Sequence, residues 1–369
     1  MSLPDRYARI ARLNALCPYY TMFPLAFPLR QLTGAHPTDW VLDPFCGRGT
    51  TNFAARLLGL PSVGIDNSKV AVAIAKAKLV QVEPSKMSDL CRSIIQRKRE
   101  PQEVPSGRFW RLCYHPRTLE GICKLREELI RDCSSPSRIA LRAAVLGVLH
   151  GPRQSGSPSY LSNQMPRTYA TKPGPAVKFW TRQHLRPKYV DVPGVIENRL
   201  RFSLADLPAA QEGFILQYDS RKVPIDRLPR RFRWVITSPP YLGMRSYVPD
   251  QWLRNWFLGG SSTVSYAQPG QIGNMRATEF VQALAEVWAR IAMVCLSGAR
   301  LVVRFGALPS RDRDPRRLLK ESLVRAGCWT AKTIKPAGRA SLGKRQSDQF
   351  GRTTGRALEE FDLHAVFEG

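Results

Sequence analysis

The sequence predicts an α/β fold: a mostly parallel seven-stranded sheet, an antiparallel C-terminal hairpin and a largely helical basic insert. Three observations carry this. Short β-type runs at Trp40–Asp43, Leu60–Asp66, Phe214–Asp219, Arg233–Thr237 and Arg300–Phe305 alternate with turn and helix signals, as strands joined by crossovers do. Two further runs, Trp329–Ile334 and Phe361–Phe367, enclose the loop Pro336–Leu358 and read as an antiparallel pair. Between the second and third strands the apolar spacing turns helical and Lys and Arg become dense. The chain therefore divides into residues 1–84, the first part of the sheet domain; 85–212, the basic insert; and 213–369, the remainder of the sheet domain.

Within residues 1–39 the segment Cys17–Pro28 is so rich in proline and aromatic residues that it predicts a stiff apolar loop and no regular helix. It is either a packed arm or a wall beside a bound ring. The first strand ends on Asp43, and Gly47 and Gly49 punctuate the turn that follows. Thr50–Leu58 then reads as a helix with Phe53, Ala54, Leu57 and Leu58 on its apolar side. Glycines without Cβ expose backbone to a ligand, and the helix N-terminus offers unpaired N–H groups. The second strand ends on Asp66, about 20 residues on, the spacing at which a carboxylate takes ribose hydroxyls. The turn lacks G-x-x-x-x-G-K-[ST], so a triphosphate cradle is not supported. Ser68 is an N-cap for a helix running to Val80.

The insert predicts helices over Met87–Arg99, Leu119–Asp132 and Pro136–His150. In Gly151–Tyr189, cations (Arg153, Arg167, Lys172, Lys178, Arg182, Arg186, Lys188) interleave with rings (Tyr160, Tyr169, Phe179, Trp180, Tyr189). Phosphate contacts and base stacking need that combination, and a solvated irregular face is the alternative. Beyond the fourth strand, Ser238-Pro-Pro-Tyr241 stops the ladder, and its prolines fix φ, holding the Ser238 and Pro239 carbonyls and the Tyr241 ring rigidly at the sheet edge. Thr278–Leu296 and Arg316–Ala326 complete the helices.

Across 369 residues, 56 Lys and Arg face 29 Asp and Glu, a formal charge of +27 spread along the chain, which points to a polyanion partner. No run of apolar residues is long enough for a transmembrane helix, and the N-terminus has no apolar signal core. The eight cysteines include no C-x-x-C pair and no His clustering, so a reducing cytoplasm and no metal are expected.

Asp43-Pro-Phe-Cys-Gly-Arg-Gly-Thr50 and Thr237-Ser-Pro-Pro-Tyr241 together resemble the cofactor motif D-P-F-x-G-x-G-T and the catalytic motif [DNS]-P-P-[YFW] of the S-adenosylmethionine-dependent DNA amino-methyltransferases. The Phe23-Pro24 arm, Asp66 and Asp219 match further positions of that family. The resemblance covers roughly 1–84 and 213–369. It implies a Rossmann-like methyltransferase fold, with Phe23, Asp43, Pro44, Phe45, Gly47, Gly49, Thr50, Asp66, Asp219 and Thr237 around the cofactor and Ser238, Pro239, Pro240 and Tyr241 around the reacting base. Its chemistry suits these residue types. Acceptors on an exocyclic amine, here the Ser238 hydroxyl and Pro239 carbonyl, free its lone pair for attack on the sulfonium methyl, Tyr241 stacks on the flipped base, and the proton is left to solvent. Double-stranded DNA is the implied partner, with a cognate restriction endonuclease as a further one. The insert is the candidate target-recognition region, through Arg153, Arg167, Lys172, Lys178 and Arg182.

Ser at position 238 leans toward cytosine N4 over adenine N6. The rival is an RNA methyltransferase, such as one acting on guanine N2 of tRNA, although only about 40 residues precede the cofactor turn here. A C5-cytosine enzyme is disfavoured because the chain contains Cys17-Pro18 but no Pro-Cys nucleophile. A binding module that has lost catalysis is the third reading, opposed by the intact Asp43, Gly47, Gly49, Ser238 and Tyr241.

Overall fold

The computed structural model describes residues 10–18, 23–151, 159–163, 165, 172–204, 206–229, 231–242, 249–266, 272, 275–306, 314–339 and 359–369. They fall into two compact units, one of residues 19–75, 209–246 and 268–369, the other of residues 1–18, 76–208 and 247–267.

The first unit holds the whole sheet. Its strands are β1 (Trp40–Asp43), β2 (Ser62–Asp66), β3 (Gly213–Gln217), β4 (Phe232–Thr237), β5 (Cys295–Gly306), β6 (Trp329–Arg339) and β7 (Glu359–Phe367), in the order β3-β2-β1-β4-β5-β7-β6. β1 to β5 are parallel, and β7 runs antiparallel between β5 and β6. This is the expected Rossmann-like sheet with its C-terminal hairpin. The order reverses between β1 and β4, and in open α/β sheets ligands bind beyond the strand ends at such a switch point. Continuous apolar runs such as Trp40-Val-Leu suit this centre, because both faces are covered. One face packs Phe280, Leu284, Val287 and Trp288 of the helix Ala277–Ala292 against Leu42, Val235 and Leu301. The other packs Phe23, Phe27, Ala54 and Ala55 against Val41, Trp234, Ile236 and Val302.

Several expectations are corrected here. The proline-rich arm does form a helix, Ala26–Gln31, because Pro28 falls in the first turn, where a backbone N–H has no helical partner to lose. The helix Thr50–Leu57 buries Phe53 and Ala54, but Leu58 lies past its end and is 43% exposed. Leu296 belongs to β5, since the preceding helix stops at Ala292. β3 ends at Gln217, two residues before Asp219.

The second unit is helical: Pro84–Ile95, Arg108–Cys113, Pro116–Arg131, Pro136–Val148, Pro173–Arg182, Val192–Ser203 and Trp252–Phe257. Four of these begin on proline, whose fixed φ suits the first helical position. His115, Ser135 and Asp191 cap the helices that follow them. Phe109, Trp110, Trp180, Trp252 and Trp256 form one aromatic core, with ring centroids 4.5 Å apart for Trp110 and Trp256. Trp180 and Tyr160, read from sequence as rings for base stacking, are therefore buried, at 0% and 3% exposure. Among the described residues no helix is long and apolar enough to cross a membrane.

Candidate active site

The turn after β1 is built as a cradle. Gly47 and Gly49 adopt φ of +50° and +73°, the left-handed region that disfavours side chains. A Cβ at Gly49 would stand 2.9 Å from Ala75 Cβ, so this glycine lets the turn close on the next helix. A Cβ at Gly47 would meet nothing within 4 Å, so its backbone faces open space. The Gly47 N–H donates to Asp66 Oδ2 at 2.9 Å, and the Ser68 N–H to Asp66 Oδ1 at 2.8 Å. Asp66 thus ties the turn to the end of β2 while remaining half-buried. Ser68 caps its helix as expected, accepting the Ala71 N–H. Pro44 is buried, its carbonyl accepting from the Ser220 hydroxyl, and the half-buried Phe45 sets its ring edge against Trp288.

Asp43 is fully buried. Its Oδ1 accepts from the Phe45 N–H at 3.1 Å and from the Thr237 hydroxyl at 2.6 Å, while its Oδ2 has no hydrogen-bond partner among the described residues. Burial pushes its carboxyl up to about 6, against the hydrogen bonds, which favour the charged form. Burial raises Asp66 as well, opposed by the two backbone N–H groups. Thr51, which the sequence reading passed over in favour of its neighbour Thr50, donates to the Ile236 carbonyl at 3.2 Å. Thr50 itself is buried at the helix start.

The turn after β1 and the turn after β4 therefore meet. Thr237 is buried, Ser238 half-buried, Pro239 buried and Pro240 half-buried. Tyr241 is 7% exposed: its ring edge packs on Phe305 at 5.1 Å and its hydroxyl donates to Glu360 Oε1 at 2.7 Å. The open stacking face expected of this ring is not how the structure has it, because Gly306 leaves the space into which it folds. Asp219 is also engaged, both its oxygens taking Arg221 Nε at 3.0 and 3.1 Å, which holds its carboxyl below the usual range. Phe23 packs edge-on to Phe27 at 5.1 Å.

Of the candidate DNA contacts, Arg153 and Arg167 lie outside the described residues, as does Tyr169. Lys172 is exposed at the start of the helix Pro173–Arg182 and pairs with Asp250 at 3.5 Å. Lys178 and Arg182, one turn apart on that helix, are exposed while Trp180 turns inward. Ser220, Thr51 and Glu360 were missed in the sequence. Ser220 had a faint signal in following Asp219, whereas a lone acid in a hairpin strand has none.

Residues 12–77 match the model of a DNA methylase family of N6/N4 type. The Type II methyltransferase M.HinfI of Haemophilus influenzae is 32% identical over 74 residues, 20% of each chain. The Type II methyltransferase M2.LlaDCHI of Lactococcus lactis subsp. cremoris is 44% identical over 48 residues, 13% of this chain and 18% of that one. The chain spans about a fifth of the length of these curated relatives. Among solved structures, the rRNA methyltransferase aviRa from Streptomyces viridochromogenes aligns over 99% of this chain and 93% of its own at 14% identity and a TM-score of 0.37. TrmN from Thermus thermophilus aligns over 97% and 53% at 9% identity and a TM-score of 0.39. Likeness of that degree bears no weight for function.

The family match implies S-adenosylmethionine as the cofactor, and the residues fit it. Open backbone at Gly47, the half-buried Asp66 carboxylate and the unpartnered, buried Asp43 Oδ2 suit an adenosine bearing a cationic sulfur-linked tail. No cluster of metal-ligating side chains occurs among the described residues. These matches bear out, over residues 12–77, the resemblance to the S-adenosylmethionine-dependent DNA methyltransferases.

Proposed function

We propose that this chain is a site-specific DNA methyltransferase acting on the exocyclic amine of a flipped base, with cytosine N4 as the target. The observation that carries the reading is the 2.6 Å hydrogen bond from Thr237 to Asp43, which joins the first residue of the catalytic turn to the acid that opens the cofactor turn. Asp66 would hold the ribose hydroxyls, Gly47 would admit the backbone contact, and Asp43 would face the cationic end. When bound, S-adenosylmethionine supplies an electrophilic methyl group.

The chain's own residues supply position. The Ser238 hydroxyl and the Pro239 carbonyl accept the two N–H groups of the amine, which turns its lone pair out of the ring π-system. Holding that nitrogen in line at near-attack distance accounts for much of the acceleration. The formal charge of +27 supports a phosphate-rich partner, whose contacts offset the few kcal/mol of unstacking a base. Serine at position 238 supports cytosine N4 over adenine N6.

Incubation of the purified protein with tritiated S-adenosylmethionine and unmethylated duplex DNA, followed by mass spectrometry of the nucleosides, tests this. N4-methylcytosine is the expected product. N6-methyladenine would correct the target base, and transfer to tRNA without transfer to DNA would overturn the reading.

A further inference from the structure

No acid occurs in the sequence between Glu103 and Glu120, or between Asp132 and Asp191, although both stretches are rich in Lys and Arg. The acids that bound them are engaged elsewhere. Glu103 pairs with Arg126 at 3.5 Å, Glu120 with Lys124 at 2.8 Å and Asp132 with Arg138 at 3.3 Å, while Asp191 caps its own helix by accepting the Gly194 N–H at 3.0 Å. Only at the start of the helix Pro173–Arg182, among the described residues, does an acid answer, Asp250 pairing with Lys172.

The helical unit brings the two stretches together. The Phe109 ring packs 5.7 Å from Trp180, and Arg108 Nη2 donates to the Thr181 hydroxyl at 3.2 Å. The His115 ring stands edge-on to Tyr189 at 5.7 Å, and the Arg117 guanidinium lies over that tyrosine ring, 4.8 Å from its centroid. Next along both segments, the buried Thr118 hydroxyl donates to the Val190 carbonyl and accepts the Val190 N–H, each at 3.0 Å. The partners keep the same order in both, so residues 108–118 and 181–190 run side by side in one direction, pinned at each end. Between the pins, Arg111 and Arg117 of one segment and Arg182, Arg186 and Lys188 of the other are exposed.

Like charges crowded on adjacent segments repel, a cost to the folded state that a polyanion relieves. Trp180 and Tyr160, two of the rings that interleave with these cations in the sequence, are buried, but Tyr189 is 49% exposed. The hydrogen bonds of Thr118 to the next residue hold it out at a fixed place. We propose that this pinned pair of segments is the track along which the helical unit holds one strand of duplex DNA by its phosphodiester backbone, with Tyr189 laid against a deoxyribose. The choice of DNA rests on the methyltransferase reading; the track rests on the acid-free, pinned segments. Arginine forks meet phosphate oxygens two at a time, and contacts to phosphate and sugar set register without reading sequence. This surface therefore positions the duplex and leaves base choice to other residues.

Fluorescence anisotropy of the full chain with a labelled duplex over a series of NaCl concentrations tests this. A phosphate contact releases counterions and a ring contact does not, so the two kinds of residue leave different signatures. Arg111→Ala and Arg117→Ala should each lower the salt slope by roughly one. Tyr189→Ala should weaken binding roughly fivefold at every salt concentration with the slope unchanged, and Tyr189→Phe should bind as the wild type does. Arg201→Ala removes an exposed cation that pairs with Glu197 on another helix, and should leave affinity and slope alone. Wild-type slopes in both arginine variants overturn the track, and so does a Tyr189→Phe protein as weak as Tyr189→Ala. An equal drop in Arg201→Ala overturns it as well, since binding would then follow net charge and not place. Tighter binding of tRNA or single-stranded DNA than of the duplex overturns the choice of partner. Methyl transfer to DNA by arginine variants that bind as the wild type does sinks the track and spares the functional reading. Slopes that fall as expected in a protein that transfers no methyl to DNA do the reverse.

Discussion

The Thr237 hydroxyl donates to Asp43 Oδ1 at 2.6 Å, joining residues 194 apart in sequence at the ends of β1 and β4. The parallel pairing of Leu42 with Val235 brings the two strand ends within one residue of each other, so the bond follows from register and not from loop conformation. It also leaves Asp43 Oδ2 buried and, among the described residues, without a hydrogen-bond partner.

Thr237→Val tests that bond with nearly unchanged volume. Asp43 would lose one of the hydrogen bonds that oppose its burial, and a valine methyl cannot replace it. A stability loss of about 1–3 kcal/mol is expected in denaturant unfolding, together with weaker S-adenosylmethionine binding in calorimetry. Unchanged values for both would mean that the bond contributes nothing.

Asp43 predicts an unusual slope of stability against pH. Its carboxyl sits at about 6 when folded against 3.8 for the ordinary group, so the folded chain keeps a proton that the unfolded chain has lost between these values. The folded state binds more protons there, and stability of the ligand-free protein falls as pH rises across that window, by about 3 kcal/mol in all. Asp66 is raised too and adds to the same trend. Asp43→Asn should therefore flatten the profile between pH 4 and about 7, giving a protein more stable than wild type at the alkaline end but weaker in cofactor binding. Thermal unfolding of both proteins across that range measures it, and parallel profiles would contradict it.

The two cradle glycines separate strain from access. At Gly49 an alanine meets both a φ of +73° and Ala75 at 2.9 Å, so Gly49→Ala should lower stability by more than the left-handed backbone alone costs. At Gly47 the space is open and only the φ of +50° opposes a Cβ, so Gly47→Ala should cost about 1–2 kcal/mol. It should nonetheless lose cofactor affinity strongly, because the methyl would fill the open space where the proposed site brings backbone to the ligand. Equal affinity for wild type and Gly47→Ala would remove this turn from the binding site.

These glycines were legible in the sequence because a strand, two glycines and a helix start make one local signal, and the strands were legible because buried parallel strands read as apolar runs. What stayed hidden was decided by tertiary packing. Trp180 and Tyr160 lie among basic residues yet are buried, while the helix Val192–Ser203 opens on Val-Pro-Gly, poor helix formers that mask the helical spacing of its buried Val192, Val195, Ile196 and Leu200. Pro28 read as a breaker because its place within the helical turn depends on where Leu25 starts it. Asp219 matched a motif position, but Arg221, two residues on, turns back to occupy it.

The proposed nucleic-acid contacts Lys178 and Arg182 are exposed and one turn apart on a helix whose other side is anchored by Trp180. Each phosphate contact releases counterions, so the logarithm of DNA affinity falls linearly with the logarithm of salt, and each contact contributes roughly one unit of slope. Lys178→Ala with Arg182→Ala should therefore reduce the slope by about two and weaken binding at low salt without altering the unfolding temperature, since neither side chain is buried. Fluorescence anisotropy with a labelled duplex at several NaCl concentrations reads both quantities. An unchanged slope would move the DNA contact off this helix and leave the two cations as a solvated face.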